Sequence, residues 1–334
     1  MFIDQSTDAK QENVTIEEFG EAVGISPRSL YYWQKQLNKE KPETIADIKK
    51  APAPANKLKP HEKKAVVSAL LKSEWIDLSP REIYYKLLDD QKTVIASVST
   101  FYRVARQSNL LGKRSKSTPG KKLNRETPHL VAMGPNEVWS WDVSQIQSAR
   151  RVERFYLYVI MDIWSRYVVG WTLEAHEQTN FAIALWKKAI EDQVITGKGL
   201  VNHKDNGAIM TSDEMIKFVR DAKMVDSYSR AGVSDDNPFS ESLFRTIKYF
   251  RDFPEFFDDL DLGREYFTQY FKDYNSQHKH SGIQFIEPTA RHYGEEQKIL
   301  NMRNTVIQEF HQENQHRYAG PPKHFKPILE VKIN

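Results

Sequence analysis

The 334-residue chain contains no cysteine. This absence excludes disulfide cross-links, zinc sites built on thiolates and catalysis by a cysteine nucleophile. It also agrees with a protein that works in a reducing compartment. A cytoplasmic location is therefore expected.

Long hydrophobic runs are missing as well. No stretch approaches the roughly 20 apolar residues that a membrane-spanning helix needs, so no membrane contact is expected. The first residues, MFIDQSTDAKQEN, are polar and acidic, unlike a secretory signal. With 40% hydrophobic and 28% charged residues, the composition is that of a globular protein, and the length predicts two or three domains.

The chain also lacks a large net charge, because its formal net charge is only +3. The distribution is more informative than the sum. The stretch from Arg103 to Arg125 is rich in Lys and Arg and contains no acidic residue before Arg125. Such a stripe is typical of phosphate contact in nucleic-acid-binding proteins. A solvated basic linker explains it equally well.

The first structured segment predicts two short helices. Thr15 with Glu18 forms a capping box, and Gly24 is placed to end the first helix. Ser26 can cap a second helix, with Pro27 in its first position. This is the pattern of a helix-turn-helix, and Arg28 and Tyr32 would then face a DNA major groove. An ordinary helical hairpin is the alternative.

A second helix-turn-helix-like unit is predicted between residues 61 and 112. Ser79-Pro80 starts one helix, and Ser97 or Ser99 starts another. The predicted DNA contacts of this unit and of the basic segment behind it are Tyr102, Arg103, Arg106, Lys113 and Arg114. The predicted division is a first domain at 1–41, a linker at 42–60, this second domain at 61–112 and a basic linker at 113–135.

From Glu137 the pattern changes to alternation. Trp139, Trp141 and Val143 form one row of a strand, while Ser140 and Asp142 belong to the other. Two strands with a turn at 164–165, a helix, a strand ending in Asp205, a helix, a short strand and a helix opened by Pro238 follow. This order predicts an α/β domain at 136–295, with a mixed sheet and flanking helices. Residues 296–334 are assigned to a C-terminal tail with a terminal strand.

Three carboxylates stand out as a candidate site. Asp142 lies in mid-strand directly after two alternating tryptophans, Asp205 ends a short strand, and Glu241 lies in the first turns of a helix. If they converge, their mutual repulsion favours a bound cation, and carboxylate oxygens suit Mg²⁺ or Mn²⁺. Such ions can activate the attacking oxygen and stabilise the leaving oxygen at a phosphorus centre. The spacing alone is weak evidence, because the chain has 45 acidic residues.

The local sequence is more specific. The segments WSWD, VIMDIWSRYVVGW, HKDNG, SRAGVSDDNPFSESLFRTIKY and DYNSQHKHSGIQFIEPTARHYG resemble the catalytic core of insertion-sequence transposases, in the family conventionally numbered three. The resemblance runs from about Pro135 to Gly294. It implies a ribonuclease H-like fold shared with retroviral integrases. It places the family's two aspartates and its glutamate on Asp142, Asp205 and Glu241, as catalytic and metal-binding residues, and its basic residue on Lys248.

The resemblance implies a DNA transposase. It would bind the inverted-repeat ends of a mobile element and catalyse Mg²⁺-dependent 3′-end cleavage and strand transfer, with Mn²⁺ able to substitute. Its partners would be double-stranded DNA and at least one further copy of itself, in the bacterial cytoplasm and on the nucleoid. A non-catalytic DNA-binding relative and a Mg²⁺-dependent nuclease are the alternatives.

Residues around the carboxylates are interpreted individually. Arg245 and Lys248 share a helix face with Glu241 and could grip the DNA backbone or form an ion pair with that glutamate. Lys204 departs from the family pattern, in which a small hydroxyl residue precedes the second aspartate, and could pair with a phosphate or compete for the carboxylate. Asp162 is left outside the site. His203 is expected to pack. His278 and His280 could contact DNA or have a structural role.

Overall fold

The computed structural model describes residues 15–37, 54–111, 130–150, 152–229 and 237–333. The chain divides into two compact units, Met1–Lys57 and Leu58–Asn334. The α-helices are α1 Ile16–Val23, α2 Pro27–Leu37, α3 Pro60–Leu70, α4 Pro80–Asp90, α5 Val98–Gln107, α6 Thr179–Asp192, α7 Asp213–Asp221, α8 Pro238–Lys248, α9 Leu260–Gln277, α10 Pro288–His292 and α11 Glu296–Glu313. The strands are β1 Leu130–Ala132, β2 Val138–Gln147, β3 Arg154–Asp162, β4 Val168–Glu174, β5 Val201–Lys204, β6 Val225–Tyr228 and β7 Val331–Ile333. None of the helices in the described ranges combines the length and apolar character needed to cross a membrane.

The described part of the first unit contains the predicted helix pair. Thr15 caps α1 with a complete capping box, and Gly24 ends the helix with φ 68°. The two helices approach closely at Gly20, where a Cβ would stand 2.7 Å from the carbonyl oxygen of Ile25 and 3.4 Å from Leu30. The buried Leu30 therefore packs against a position that tolerates no side chain.

Helices α3, α4 and α5 form a small helical cluster at the start of the second unit. Ser79 caps α4 with a capping box and Ser97 caps α5, as the sequence predicted. The three helices share a hydrophobic core that includes Val66, Ile83 and Phe101. The predicted boundaries at residues 41, 60, 112, 135 and 295 remain predictions.

A five-stranded mixed sheet forms the centre of the second unit, in the order β4-β3-β2-β5-β6. β2, β3 and β4 are antiparallel neighbours, whereas β5 runs parallel to both β2 and β6. The predicted hairpin between β3 and β4 is present. The predicted ribonuclease H-like α/β architecture is confirmed by this strand order and by the flanking helices.

The alternation predicted in β2 separates the two faces of the sheet. Trp139 and Trp141 pack with Trp186 of α6 in a core that α7 also joins. On the opposite face, Ile146 belongs to a second core formed with α8 and α9. Ser140 and Asp142 share that second face, because side chains on a strand alternate. The sheet therefore presents Asp142 on the side that α8 covers.

The C-terminal region is tied to both ends of the second unit. β7 pairs antiparallel with β1, which confirms the terminal strand suggested by the sequence. Next to it, α11 packs on α4, where Asp89 accepts bonds from Arg303 at 2.6 Å and from Lys279 at 2.6 Å. Tyr85 stacks on Phe285 with ring centroids 4.6 Å apart. The helical cluster and the sheet thus belong to one packed body, as the contact pattern of residues 58–334 also indicates.

Candidate active site

Adjacent parallel strands bring Asp142 and Asp205 next to each other. Ser140 of β2 is in register with His203 of β5. Each aspartate lies two residues beyond this pair in the same strand direction, so both occupy the face that carries the pair. Asp205 Oδ1 accepts a hydrogen bond of 2.6 Å from Ser229 Oγ. This bond fixes the carboxylate where β5 has just ended.

Helix α8 supplies the third carboxylate. Its N-cap residue, Asn237, is fully buried and binds the strand below instead of capping the helix. Ser140 Oγ donates to Asn237 Oδ1 at 2.5 Å and lies 2.7 Å from Ser240 Oγ, while Asn237 Nδ2 donates to the Trp141 carbonyl at 3.3 Å. The first turn of α8, which contains the exposed Glu241, is therefore fixed directly over β2.

The pKa of Asp142 is affected by the other two acids. Burial, followed by the carboxylates of Asp205 and Glu241, raises its pKa to about 7. A hydrogen bond of 2.7 Å from the Val143 N–H to Asp142 Oδ1 and the ammonium of Lys248 act in the opposite direction. The three predicted residues consequently share one electrostatic environment, with excess negative charge.

The donor set fits a hard divalent cation. Three carboxylates supply only oxygen ligands, and the burial of Asp142 and its two neighbouring acids, which together raise its pKa, are effects that a bound cation would offset. The side chains do not form a closed cage, because no group of three Asp, Glu, His or Cys residues within the described ranges is close enough to share one ion. Binding by all three would therefore draw the carboxylates together.

Two basic residues follow Glu241 on α8. Both Arg245 and Lys248 are exposed, and the guanidinium of Arg245 lies 5.8 Å from the ring centroid of Tyr249. The ammonium of Lys248 is close enough to lower the pKa of Asp142. The face of α8 that borders the carboxylates therefore carries positive charge toward its C-terminal end.

Lys204 takes neither of the two roles considered for it. Its side chain is fully buried, with Nζ 2.8 Å from Asp226 Oδ1 and 4.8 Å from the Tyr228 ring centroid, both on β6. Because neighbouring residues of a strand face opposite sides, Lys204 points away from the side that Asp205 occupies. Burial lowers its pKa, and its partner Asp226 compensates in part.

The predicted DNA contacts on the helical modules are solvent-accessible where the structure describes them. Arg28 and Tyr32 are exposed on α2. On α5, Arg103 and Arg106 are exposed and three residues apart, so they share one face, and Tyr102 is half-buried beside them. Lys113 and Arg114 lie outside the described residues.

Asp162 and the histidines have partners that explain them. Asp162 is fully buried and accepts hydrogen bonds from the Ser165 N–H, the Ser165 hydroxyl and the Asn136 N–H. Its exclusion from the site agrees with these structural contacts. His203 is buried, with Nδ1 3.0 Å from Ser227 Oγ. His278 stacks on Tyr274 with ring centroids 5.1 Å apart.

One charged residue near the site was not selected from the sequence. Arg166 lies in the turn between β3 and β4, with φ 66°, and only 7% of it is exposed. Its guanidinium carbon stands 4.1 Å from the ring centroid of Phe239 in the first turn of α8. The segment SRY carries no periodic signal that would place the arginine beside a helix 70 residues later in the chain.

Comparison with known families agrees with this geometry. A family described as the integrase core domain matches residues 132–234, and a second family of the same description matches residues 223–288. The two matches together cover all five strands of the sheet and all three carboxylates. The chain contains an integrase core domain. The resemblance found in the sequence is thereby confirmed.

Individual relatives are transposases of insertion sequences. The chain is 27% identical over 206 residues to the transposase for insertion sequence element IS904 of Lactococcus lactis, covering 56% of this chain and 78% of the relative. It is 28% identical over 163 residues to transposase InsF for insertion sequence IS3A of Escherichia coli, covering 47% of this chain. The chain spans about half the length of that second relative, 54%.

Solved structures with a related core include the HTLV-2 integrase catalytic core domain in complex with magnesium. It is 19% identical, with a TM-score of 0.36, and the match covers 48% of this chain and 98% of that one. The simian T-cell lymphotropic virus intasome with a PP2A regulatory subunit matches 65% of this chain and 75% of that one, at 17% identity and a TM-score of 0.42.

Proposed function

We propose that the chain is a DNA transposase that binds the inverted-repeat ends of a mobile element and catalyses 3′-end cleavage and strand transfer. The observation that carries the proposal is that Asp142, Asp205 and Glu241 border one face of an integrase core, where burial and then the two other acids raise the pKa of Asp142. Mg²⁺ or Mn²⁺ held by these carboxylates would supply the positive charge that activates the attacking oxygen and stabilises the leaving oxygen.

The chain's own residues would orient the reacting groups. The Ser229 hydroxyl and the Val143 N–H hold one oxygen each of Asp205 and Asp142. The buried contacts of Asn237 with β2 hold Glu241 over the same face. Lys248 and Arg245 provide positive charge for a DNA backbone phosphate next to the carboxylates. A single site can then serve both steps, since each displaces an oxygen at phosphorus.

DNA recognition is assigned to the helical modules. Exposed basic and aromatic side chains on α2 and α5 suit contact with phosphates and base edges, and the basic segment containing Lys113 and Arg114 would add phosphate contacts. At least two copies of the chain would assemble, because two element ends must meet. Its place of action would be the DNA of the bacterial cytoplasm.

Strand transfer on labelled DNA tests this proposal. The substrate carries the inverted repeats that flank the gene, with Mg²⁺ or Mn²⁺, and the proteins are the natural chain, Glu241→Gln and the control Glu295→Gln. Glu295 is an exposed acid next to α11 that pairs only with Lys298 among the described residues. We expect joined products with the natural chain and the control, and a loss of about 100-fold or more with Glu241→Gln.

The other outcomes would contradict the proposal. End binding without cleavage or joining in either metal would indicate a non-catalytic DNA-binding relative. Cleavage without joined products would indicate a nuclease. Equal joining by Glu241→Gln would remove that residue from the site.

A further inference from the structure

A small cavity lies beside the N-terminus of α8. It measures about 160 Å³, and its walls include Arg166, Phe239, Ser242, Tyr274 and His280, which together we call the Arg166 pocket. Pockets for whole drug-sized molecules are larger, roughly 300–1,000 Å³. The Arg166 pocket therefore suits a single chemical group.

Arg166 is the unusual member of this pocket. It is a buried cation, and its Nη1 has no hydrogen-bond partner among the residues that the structure describes. Phe239 covers one face of the guanidinium. The nearest acid, Asp162, uses its oxygens for Ser165 and Asn136. Buried arginines are ordinarily paired, because an unpaired buried charge is costly.

Arg166 remains charged despite its surroundings. Burial lowers its pKa to about 10, which still leaves the guanidinium protonated at neutral pH. Five N–H groups in a planar fork are available in an arginine, and this geometry matches the oxygens of a carboxylate or phosphate. Arg166, a wall of the pocket, thus places a fixed positive charge beside the cavity.

The other walls also offer donors. α8 has 11 residues, and its first turn, at Pro238 and Phe239, borders the pocket with the positive end of the helix dipole. His280 Nδ1 accepts a hydrogen bond of 3.0 Å from the Gly282 N–H, so the ring proton is on Nε2. Burial lowers the pKa of His280 to about 3, which keeps the ring neutral and able to donate.

No carboxylate lines the pocket. A guanidinium, a helix N-terminus, a neutral histidine and the hydroxyl of Ser242 all favour an anion with several oxygens. A phosphate group has enough oxygens to accept hydrogen bonds from several of these donors.

We propose that the Arg166 pocket binds one backbone phosphate of the DNA that the candidate active site acts on. Its position supports DNA as the source of the phosphate. Ser242, at the exposed rim of the pocket, directly follows Glu241 in α8. Consecutive residues of a helix lie less than one turn apart, so DNA bound at Glu241 would have a neighbouring backbone phosphate within reach of the pocket rim. The inference rests on the proposed transposase function and adds a positioning residue, Arg166, to it.

Phosphate-by-phosphate interference tests the pocket. The full-length chain is bound to the inverted-repeat duplex with Ca²⁺ in place of Mg²⁺, and each phosphate near the cleaved end is replaced in turn by an uncharged methylphosphonate. We expect one position at which the replacement weakens binding about ten-fold, by removal of a charge-assisted hydrogen bond. In Arg166→Gln, the methylphosphonate at that position should no longer weaken DNA binding. The slope of log affinity against log salt concentration should fall by about one phosphate contact.

Two further variants separate this role from folding. Ser242→Leu keeps Arg166 and changes an exposed helical position, yet its side chain would fill the rim of the pocket, so it should abolish the same signal. Arg150→Gln is the matched control, because Arg150 is 78% exposed and pairs only with Glu153 among the described residues. It should preserve the interference pattern of the natural chain. Thermal unfolding of each variant verifies that the protein is folded.

Different outcomes would contradict the pocket proposal and the transposase proposal. If no methylphosphonate position loses its effect in either Arg166→Gln or Ser242→Leu while the natural chain joins strands, the pocket proposal fails and the transposase proposal stands. If inorganic phosphate raises the melting temperature of the natural chain but not of Arg166→Gln, and no DNA position responds, the anion is free phosphate and the DNA proposal is wrong. A natural chain that neither cleaves nor joins contradicts the proposed function itself.

Discussion

The carboxylate of Asp142 serves the proposed chemistry and also lowers the stability of the metal-free protein. Asp142 directly follows Trp139 and Trp141, which pack into the core on the other face of the sheet, so the strand cannot turn Asp142 away from the site without exposing them. Burial and two neighbouring acids raise its pKa to about 7. In the absence of metal, ionised Asp142 therefore destabilises the fold.

Replacing Asp142 by Asn should remove this cost. At pH 8 without divalent metal, we expect Asp142→Asn to raise the free energy of unfolding by about 1 kcal/mol, since a site built for function is not optimal for stability. Mg²⁺ should stabilise the natural chain but not the variant, and strand transfer should be lost. Urea unfolding with and without Mg²⁺ measures this. A variant less stable than the natural metal-free chain would contradict the electrostatic account.

Candidate site residues that lie in segments with a clear strand or helix pattern could be predicted from the sequence. Asp142, Asp205 and Glu241 occupy segments with recognisable strand and helix signals. Arg166 could not be identified in this way, because its neighbours Phe239 and His280 come from elements more than 70 residues later. Lys204 was recognised as unusual, but its partner Asp226 depends on the pairing of β5 with β6. Such contacts exist only after the strand order is known.

Helices and strands follow local rules closely in this chain. The caps at Thr15, Ser79 and Ser97 and the alternation in β2 were all predicted and are present. Sequence did not reveal which helix covers which face of the sheet. α9 approaches β4 closely at Gly263, where a Cβ would stand 2.5 Å from Leu173 Cδ2. That approach supports the face on which α8 and the carboxylates lie.

Gly263→Ala should reverse the usual effect of this substitution. Alanine in a helix interior is ordinarily favoured over glycine by about 1 kcal/mol. Here the methyl group would collide with the fully buried Leu173, so we expect a net loss of about 1–2 kcal/mol in the free energy of unfolding. Gly320→Ala, at a position with no atom within 4 Å of the added Cβ, is the control. Equal stability of both variants would show that α9 can move away from β4.

The second unit behaves as one body because distant parts of the chain are ionically joined. Arg303 of α11 binds Asp89 of α4, 214 residues away. Arg317 binds Glu62 of α3 through two hydrogen bonds of 2.8 Å. A helix at 296–313 and these ion pairs were not predicted, since no local pattern connects residues so far apart. They fix the helical cluster against the C-terminal region.

The Glu62–Arg317 pair predicts a pH dependence. Hydrogen bonds from Arg317 lower the pKa of Glu62 from 4.5 to about 2. A carboxyl group with a lowered pKa stabilises the fold above its unfolded pKa, and this contribution is lost as pH falls from about 4.5 toward 2. Glu62→Gln should therefore cost about 1 kcal/mol at pH 7, with the difference narrowing below pH 4.5. Urea unfolding at pH 7, 4 and 3 measures it, and a constant difference would contradict the assignment.

The central claim, that three carboxylates hold the metal for strand transfer, is tested most directly with Asp205→Cys. The chain has no cysteine of its own, so the variant contains a single thiol. Mn²⁺ accepts a sulfur ligand more readily than Mg²⁺ does. We predict strand transfer by Asp205→Cys to be absent in Mg²⁺ and partly restored in Mn²⁺, while the natural chain is active in both. Undiminished joining by the variant in Mg²⁺ would show that Asp205 does not bind the metal and would contradict the account.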